Sequence, residues 1–451
     1  MRGGWASRRA IGIVLLLAGH GSLLRAADPV GRGLATYTAF AWIAPAKPLG
    51  HVVGVVRFQS RSDPDQVEKE LMARPAGARA LLRWESNDNH IWRNPRDQLA
   101  GPGAVANRYQ GPWIANGAAA EAQFESRFAD AINRHGGMPN LLVLDTEMGV
   151  GTWDMTPPQL AAIVGDPRWA PLAKRFGIRS TSGLIGVLDT PAARAFNLAM
   201  QVTEGGYFRD AFFVPWQMRF PGIHCSDFGD GVLDDQHAME APDDNGVVQP
   251  MALPMHGDMQ SPCCYAWVHR IGRSAANQGA DFAKALPVLC WVSSAVRAHA
   301  RSPEPVLPWV AAKSWSDGTP GNPRGSVGIA GTSFEDELLW HVCLSGGCTD
   351  VLFFNPDGRP ADDAAMDRDL AELERQTGDA ASLRPITRDA VPYGSPVLVT
   401  GAITPTGRRV YRVTVGEVKS GGGRVEVKFP GDDGITAVGI PAGACGAWVV
   451  R

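Results

Sequence analysis

Apolar and polar positions alternate along this chain in two rhythms, and together they predict an ordered series of strands and helices. Short apolar runs bounded by turn residues read as strands: Thr36 to Ile43, Val52 to Phe58, Ala78 to Trp84 and Leu141 to Glu147 in the first third. Gly186 to Leu188, Ala211 to Gln217, Val247 to Pro254, Val306 to Ala312 and Asp350 to Asn355 continue the series. Apolar residues at helical spacing fall between several of these runs. Asp65 to Ala73 follows the start signal Ser62-Asp63-Pro64 and carries Val67, Leu71 and Met72 on one side. Ala118 to Arg134 places Phe124, Phe128, Ala131 and Ile132 on one face. Gln159 to Phe176, part of Ser274 to Ala300, and Glu335 to Ser345 are further helices, and Asp362 and Asp363 are placed to cap another from Ala364 to Arg375.

Strand, polar end, helix, strand is the order that parallel strands with crossover helices require. About eight such strands suit a (β/α)8 TIM-type barrel with loop insertions better than a doubly wound sheet. The region from His224 to Tyr265, rich in Asp, Gly and Pro, reads as a long loop insertion. From about Pro385 the pattern changes to short alternating strands with Gly-rich turns: Val397 to Thr400, Arg409 to Val415, Arg424 to Phe429 and Ala447 to Val450. The expected organisation is a leader at 1–26, an α/β barrel domain at 27–384 and a small β-sandwich-like accessory domain at 385–451. That last unit is near the lower size limit for a core of its own.

Composition narrows the function classes. The chain has 451 residues, 45% hydrophobic and 20% charged, with a net charge of −3, so no basic excess points to nucleic acid. No Gly-x-Gly-x-x-Gly follows an early strand and no phosphate-loop motif occurs, so nucleotide cofactors lack their fingerprint. Arg2, Arg8 and Arg9, the apolar run Ile11 to Ala18, and Leu24-Arg25-Ala26 form a secretory leader pattern, which predicts a secreted or periplasmic protein. The apolar run is too short to span a bilayer stably, and no later stretch predicts a membrane span. Seven cysteines then permit disulfides, and Cys343 and Cys348 are spaced to bridge each other. No Cys-x-x-Cys pair occurs, and the histidines lack ligand spacing, so neither a metal nor another cofactor is expected.

Candidate chemistry sits at the strand ends. In a parallel barrel the C-terminal ends of the strands share one mouth. Those ends supply Glu85 with Asn87; Asp145 with Glu147; Trp216 with Gln217; His256 with Asp258; Lys313 with Trp315; and Asn355. Asp145 and Glu147 are two apart and share a face of an extended chain. Acids to handle a glycosidic oxygen, amides to hold hydroxyls, and Trp faces to stack on sugar rings make a carbohydrate site; the chain's fourteen Trp allow for it, although most Trp belong in the core.

Leu144-Asp145-Thr146-Glu147 resembles the Asp-x-Glu strand end of hyaluronidases and, more distantly, of chitinase-type barrels. Pro262-Cys263-Cys264-Tyr265 is similar to the hyaluronidase segment that brings a Tyr into the site, and Glu335 to Asn355 is similar to the last helix and strand of many glycosidase barrels. An Asn stands at the last strand's tip where those enzymes have Trp, and their cysteine framework is absent. The resemblance implies a glycoside hydrolase with Glu147 as general acid and base. It further implies that Asp145 raises the pKa of Glu147 and orients a 2-acetamido group, to which Tyr265 would hydrogen-bond. Without an acetamido group, Glu85, Asp258 or Asp227 would have to serve as the second acid. A non-catalytic carbohydrate-binding or cell-surface protein on the same barrel is the competing expectation.

Overall fold

The computed structural model describes residues 37–41, 52–54, 56–58, 63–72, 80–84, 125–134, 139–145, 164–165, 167, 170–179, 209–227, 257–262, 264, 282–299, 305–311, 334–348, 351–355, 360–378, 383–387, 391, 395–416 and 420–451. Up to residue 355, strands alternate with helices and every strand pair in the described residues is parallel. The strands are β1 (Tyr37–Ala41), β2 (Val52–Gly54), β3 (Val56–Phe58), β4 (Ala80–Trp84), β5 (Leu141–Asp145), β6 (His224–Asp227), β7 (Trp309–Ala311) and β8 (Leu352–Asn355). The helices include α1 (Pro64–Met72), α2 (125–134), α3 (Ala170–Arg175), α4 (Val214–Arg219), α5 (Phe282–His299), α6 (Phe334–Gly346) and α7 (Pro360–Thr377).

Two four-stranded sheets result, in the orders β2-β1-β8-β7 and β3-β4-β5-β6. One residue, Val55, separates β2 from β3, so the chain passes directly from one sheet into the other. Beyond β6, residues 258–262 and Cys264 lie between β6 and β7. The Asp258 and Met259 N–H groups donate to the Cys225 carbonyl at 2.9 and 3.4 Å. On the other side Gln260 donates to Pro305 (2.8 Å), Leu307 to Gln260 (2.6 Å), Trp309 to Pro262 (2.8 Å) and Cys264 to Trp309 (2.8 Å). Gln260 and Val306 form a parallel bridge within this ladder. Gly257 permits the approach, because a Cβ there would stand 2.0 Å from the Cys225 carbonyl oxygen.

Alternation sorts the strand side chains onto two buried faces. Leu142, Leu144 and Cys225 pack with Val67 and Leu71 of α1, Phe128 and Ile132 of α2, and Phe213, Trp216 and Phe220 around α4. Arg134 of α2 also bonds Asp65 (2.7 Å) and Glu68 (3.3 Å) of α1. Val306, Val310, Val351, Phe353 and Cys264 face a second cluster built by α5, α6 and α7. The intervening positions Leu141, Val143, Ser226, Ser261, Leu307, Trp309 and Leu352 are buried as well, outside both clusters. Ser226 donates to the Met259 carbonyl (2.9 Å), Ser261 to the Leu307 carbonyl (3.0 Å), and the Trp309 indole N–H to Ser261 (2.8 Å). Burial on both faces is the environment of parallel strands.

The remaining strands are antiparallel: β9 (Arg384–Pro385), β10 (Val397–Ile403), β11 (Arg409–Val415), β12 (Gly423–Lys428), β13 (Ile435–Ile440) and β14 (Gly446–Val450). They form a sheet β14-β11-β10-β9 and a hairpin β12-β13. Tyr411, Val413, Val427, Phe429, Val438, Ile440 and Ala447 pack between them. The sheet's other face lies on α6, every residue of which from Asp336 to Ser345 is buried. A helix buried all round must be covered on two sides, and β7 with α5 and α7 on one side and β10 and β11 on the other do this for α6. Gly346 and Gly347 end α6: Gly347 has φ +64 and donates to the Cys343 carbonyl (2.9 Å), and the chain then turns into β8.

Several expectations need correction. Ala211 to Gln217 is not a strand; it is a π-turn at Arg209–Phe213 leading into α4, with Pro215 in the helix's first turn. The supposed loop from His224 contains β6 and the segment of residues 258–262 and Cys264. Asp362 and Asp363 lie inside the first turn of α7, which begins at Pro360, and both are buried. Strand β13 was not expected. Cys343 and Cys348 do not bridge: all six described cysteines are free, and the Cys348 thiol donates to the Val342 carbonyl at 3.8 Å. Gly186 to Leu188 and Val247 to Pro254 fall outside the described residues.

Candidate active site

The parallel register fixes which residues end the strands side by side. Trp84 pairs with Asp145, Leu144 with Asp227, and Ala41 with Asn355. Asp145 and Asp227 therefore terminate neighbouring strands at the same end, and Asn355 terminates β8 at the corresponding end beside β1. Residues Leu141 to Leu144 are buried, so the strand that ends at Asp145 has a fixed apolar base. Glu147, Glu85, Asn87, Tyr265, Lys313 and Trp315 lie outside the described residues; of Asp145, Asp227 and Asn355 the strand positions are described.

Three expected site residues stand elsewhere. Trp216 is a fully buried residue of α4, its ring stacked on Phe220 with centroids 5.9 Å apart. Gln217 follows it on the same helix and donates to Asp258 at 3.3 Å. Asp258 accepts the Cys225 backbone N–H at 2.5 Å and faces the His224 ring at 3.3 Å. His224 and Cys225 begin β6 and pair with Leu141 and Leu142 at the beginning of β5. Asp258 and Gln217 thus sit at the N-terminal ends of the strands, opposite Asp145 and Asp227. The task of Asp258 there is to satisfy a strand-start N–H, which in a chain of ordinary loops would face water.

Asp227 ends β6 at the same end as Asp145, but its position pairs with Leu144 and falls on the strand face of Leu144 and Cys225, opposite that of Asp145. The sequence signal for its strand is short, Ile223 and Cys225 alternating with His224 and Ser226. Cys225 packs against the helices, and burial with the nearby Asp258 charge pushes its thiol well above the usual range. Among the described residues no group of three or more His, Cys, Asp or Glu side chains is arranged to hold a metal ion. No described helix is long and apolar enough to cross a membrane.

No family profile matches the chain, and no curated protein matches it. Among solved structures, a variant of the GH36 alpha-galactosidase AgaA from Geobacillus stearothermophilus in complex with 1-deoxygalactonojirimycin shares 9% identity over 92% of this chain and 55% of that one, at a TM-score of 0.42. SrfJ from Salmonella typhimurium shares 11% identity over 93% of both chains at 0.29. The endo-beta1,6-glucanase BT3312 shares 10% identity over 72% of this chain and 61% of that one at 0.26. The chain spans about half the length of the galactosidase it matches.

Proposed function

We propose that the chain is an exported glycoside hydrolase whose parallel strands close into an eight-stranded barrel at about 27–384, followed by a β-sandwich-like unit from about 385. The carrying observation is the strand order with its polar ends. Counting β2 and β3 as one strand, the pairings run β1, β2/β3, β4, β5, β6, 258–262 with Cys264, β7, β8 and back to β1. The face away from the helices is filled by the strands' own residues, Trp309, Leu307 and Val143 among them, as a closed barrel interior requires. Export rests on the leader pattern at 1–26.

In this reading Glu147, two residues past Asp145 on the same face, protonates the departing glycosidic oxygen and then takes a proton from water. Asp145 keeps the Glu147 proton bound by like-charge proximity. Glu85, one residue past Trp84, the register partner of Asp145, is the second carboxylate; Asp258 lies at the other strand ends, and Asp227 falls on the strand face of Leu144. On a 2-acetamido sugar, Asp145 instead orients the acetamido oxygen as nucleophile, with Tyr265 as its partner; this is the hyaluronidase-like variant. Asn87, Lys313, Trp315 and Asn355 hold the carbohydrate in this reading. A panel of polysaccharides with product analysis tests the reading. Hydrolysis of one class by wild type, reduced at least a hundredfold in Glu147→Gln, supports it; binding without turnover, indifferent to Glu147→Gln, replaces it with a non-catalytic carbohydrate binder.

A further inference from the structure

The seam between α6 and the C-terminal sheet holds a buried polar chain that the proposed hydrolysis does not use. His341 on α6 is fully buried, and both its ring nitrogens bond residues of the sheet: Nδ1 lies 2.8 Å from the Thr400 hydroxyl and Nε2 2.8 Å from the Thr414 hydroxyl. Thr414 in turn donates its only hydroxyl proton to Glu337 at 2.6 Å. That donation fixes the direction of the whole chain. Thr414 can only accept from His341, so Nε2 carries the ring proton and Nδ1 accepts from Thr400. In the neutral ring the tautomer is thus set by the strands it touches.

Of the groups facing His341, two guanidinium groups oppose a second ring proton and one carboxylate favours it. Among the described residues these are Glu337 on α6, Arg412 on β11, Arg297 on α5 and, across Glu337, the Cys445 thiol at 3.2 Å from the carboxylate. Glu337 is already engaged by both arms of the Arg412 guanidinium, and Arg297 donates to the Val399 carbonyl at 2.8 Å. A protonated ring would stand beside two guanidinium groups and one carboxylate. Its new Nδ1–H would also meet Thr400 with that hydroxyl's proton pointing at it, at a site where water has no access.

We propose that this seam is an acid-sensitive latch with His341 as its sensor: the neutral ring joins α6 to β10 and β11, and the protonated ring releases them. Burial lowers the His341 pKa from its ordinary value to about 3, with the Arg412 and Arg297 charges adding to this and Glu337 opposing it. The sign follows from linkage. A folded-state pKa below the unfolded one gives stability that is full above pH ~6.5 and is lost as pH falls toward 3, tenfold in the folding equilibrium per pH unit. Urea unfolding of the full chain at several pH values from 7.5 to 4.5, followed by Trp fluorescence, tests this in wild type and His341→Gln, whose side chain can accept from Thr400 but does not titrate. The latch predicts a wild-type slope steeper by one proton below pH 6; equal slopes overturn it. Should His341→Gln fail to fold, nitrogen NMR of histidine-labelled wild type decides. A ring protonated at Nε2 and unchanged down to pH 4.5 supports the latch, and one titrating near pH 6.5 in the folded protein overturns it.

Discussion

Replacing Arg412 by Met removes one member of the most deeply buried ion pair among the described residues. Arg412 is 4% exposed and its Nε donates to Glu337 at 2.9 Å while Nη2 donates to the other carboxylate oxygen. Its guanidinium also lies 4.5 Å from the Trp340 ring centroid and 5.3 Å from that of Trp448. Burial by itself pushes the Glu337 carboxyl up, but the Arg412 charge and hydrogen bonds, helped by the Thr414 hydroxyl, hold it below the usual carboxylate value. Without Arg412 that carboxylate is stranded in a site with no water, and Thr414 and Cys445 are neutral. The expected loss is about 3–5 kcal/mol, far above the ~1 kcal/mol of an exposed pair. Urea denaturation with unchanged m-value measures it. The double variant Glu337→Leu, Arg412→Met removes the stranded charge and is expected to be more stable than Arg412→Met alone by at least about 1 kcal/mol. An Arg412→Met loss under 1 kcal/mol, or a double variant less stable than the single, would refute the view that the seam depends on this pair.

Further outcomes follow from packing and burial. Trp216→Ala should cost about 3–5 kcal/mol by equilibrium unfolding, because its ring is wholly enclosed between α1, α2 and β5; near-neutral stability would return Trp216 to the surface. Gly347→Ala should destabilise by about 1–3 kcal/mol, since its φ is +64 and a Cβ would stand 2.5 Å from the Leu383 carbonyl oxygen, and a thermal melt would register this. Burial pushes the Cys290 and Cys343 thiols up to about 12, against a small opposing effect of Arg297 on Cys290. At pH 8 only about one part in ten thousand is thiolate, so native protein should react with a thiol reagent only after denaturant is added; rapid reaction in the native state would contradict their placement.

The parts of the fold that were legible in the sequence are those with an unambiguous period. β1, β4, β5 and β8 are apolar runs cut off by turn residues, and α1, α2 and α6 carry apolar stripes or end in a Gly pair. The reading of Ala211 to Gln217 as a strand has a plain cause: short apolar runs do not distinguish a strand from a buried helix. Ala-Phe-Phe-Val-Pro-Trp-Gln has the aromatic and β-branched content of a strand, yet Pro215 opens a helix whose Trp216 is core. β6 was hidden for the opposite reason, since two apolar residues in His224–Asp227 make no run, and its pairing to β5 is a long-range fact. The cysteine spacing allowed a bridge that the helix end at Gly346-Gly347 does not form.

At the site, the sequence legibly placed Asp145 at a strand end, but sidedness required the register. Asp227 and Asp258 were equal candidates on paper, and β6 with its partner segment puts them at opposite ends of the strands. The contrast between Asp145 and Asp258, at opposite strand ends, supplies the most direct test of a site at the C-terminal strand ends. Turnover of the best glycan should be measured for Asp145→Asn and Asp258→Asn at a temperature where both are folded. The account predicts a fall of at least a hundredfold for Asp145→Asn, with Asp258→Asn near wild type because an amide oxygen still accepts the Cys225 N–H. Loss of turnover in Asp258→Asn with Asp145→Asn unimpaired would contradict it.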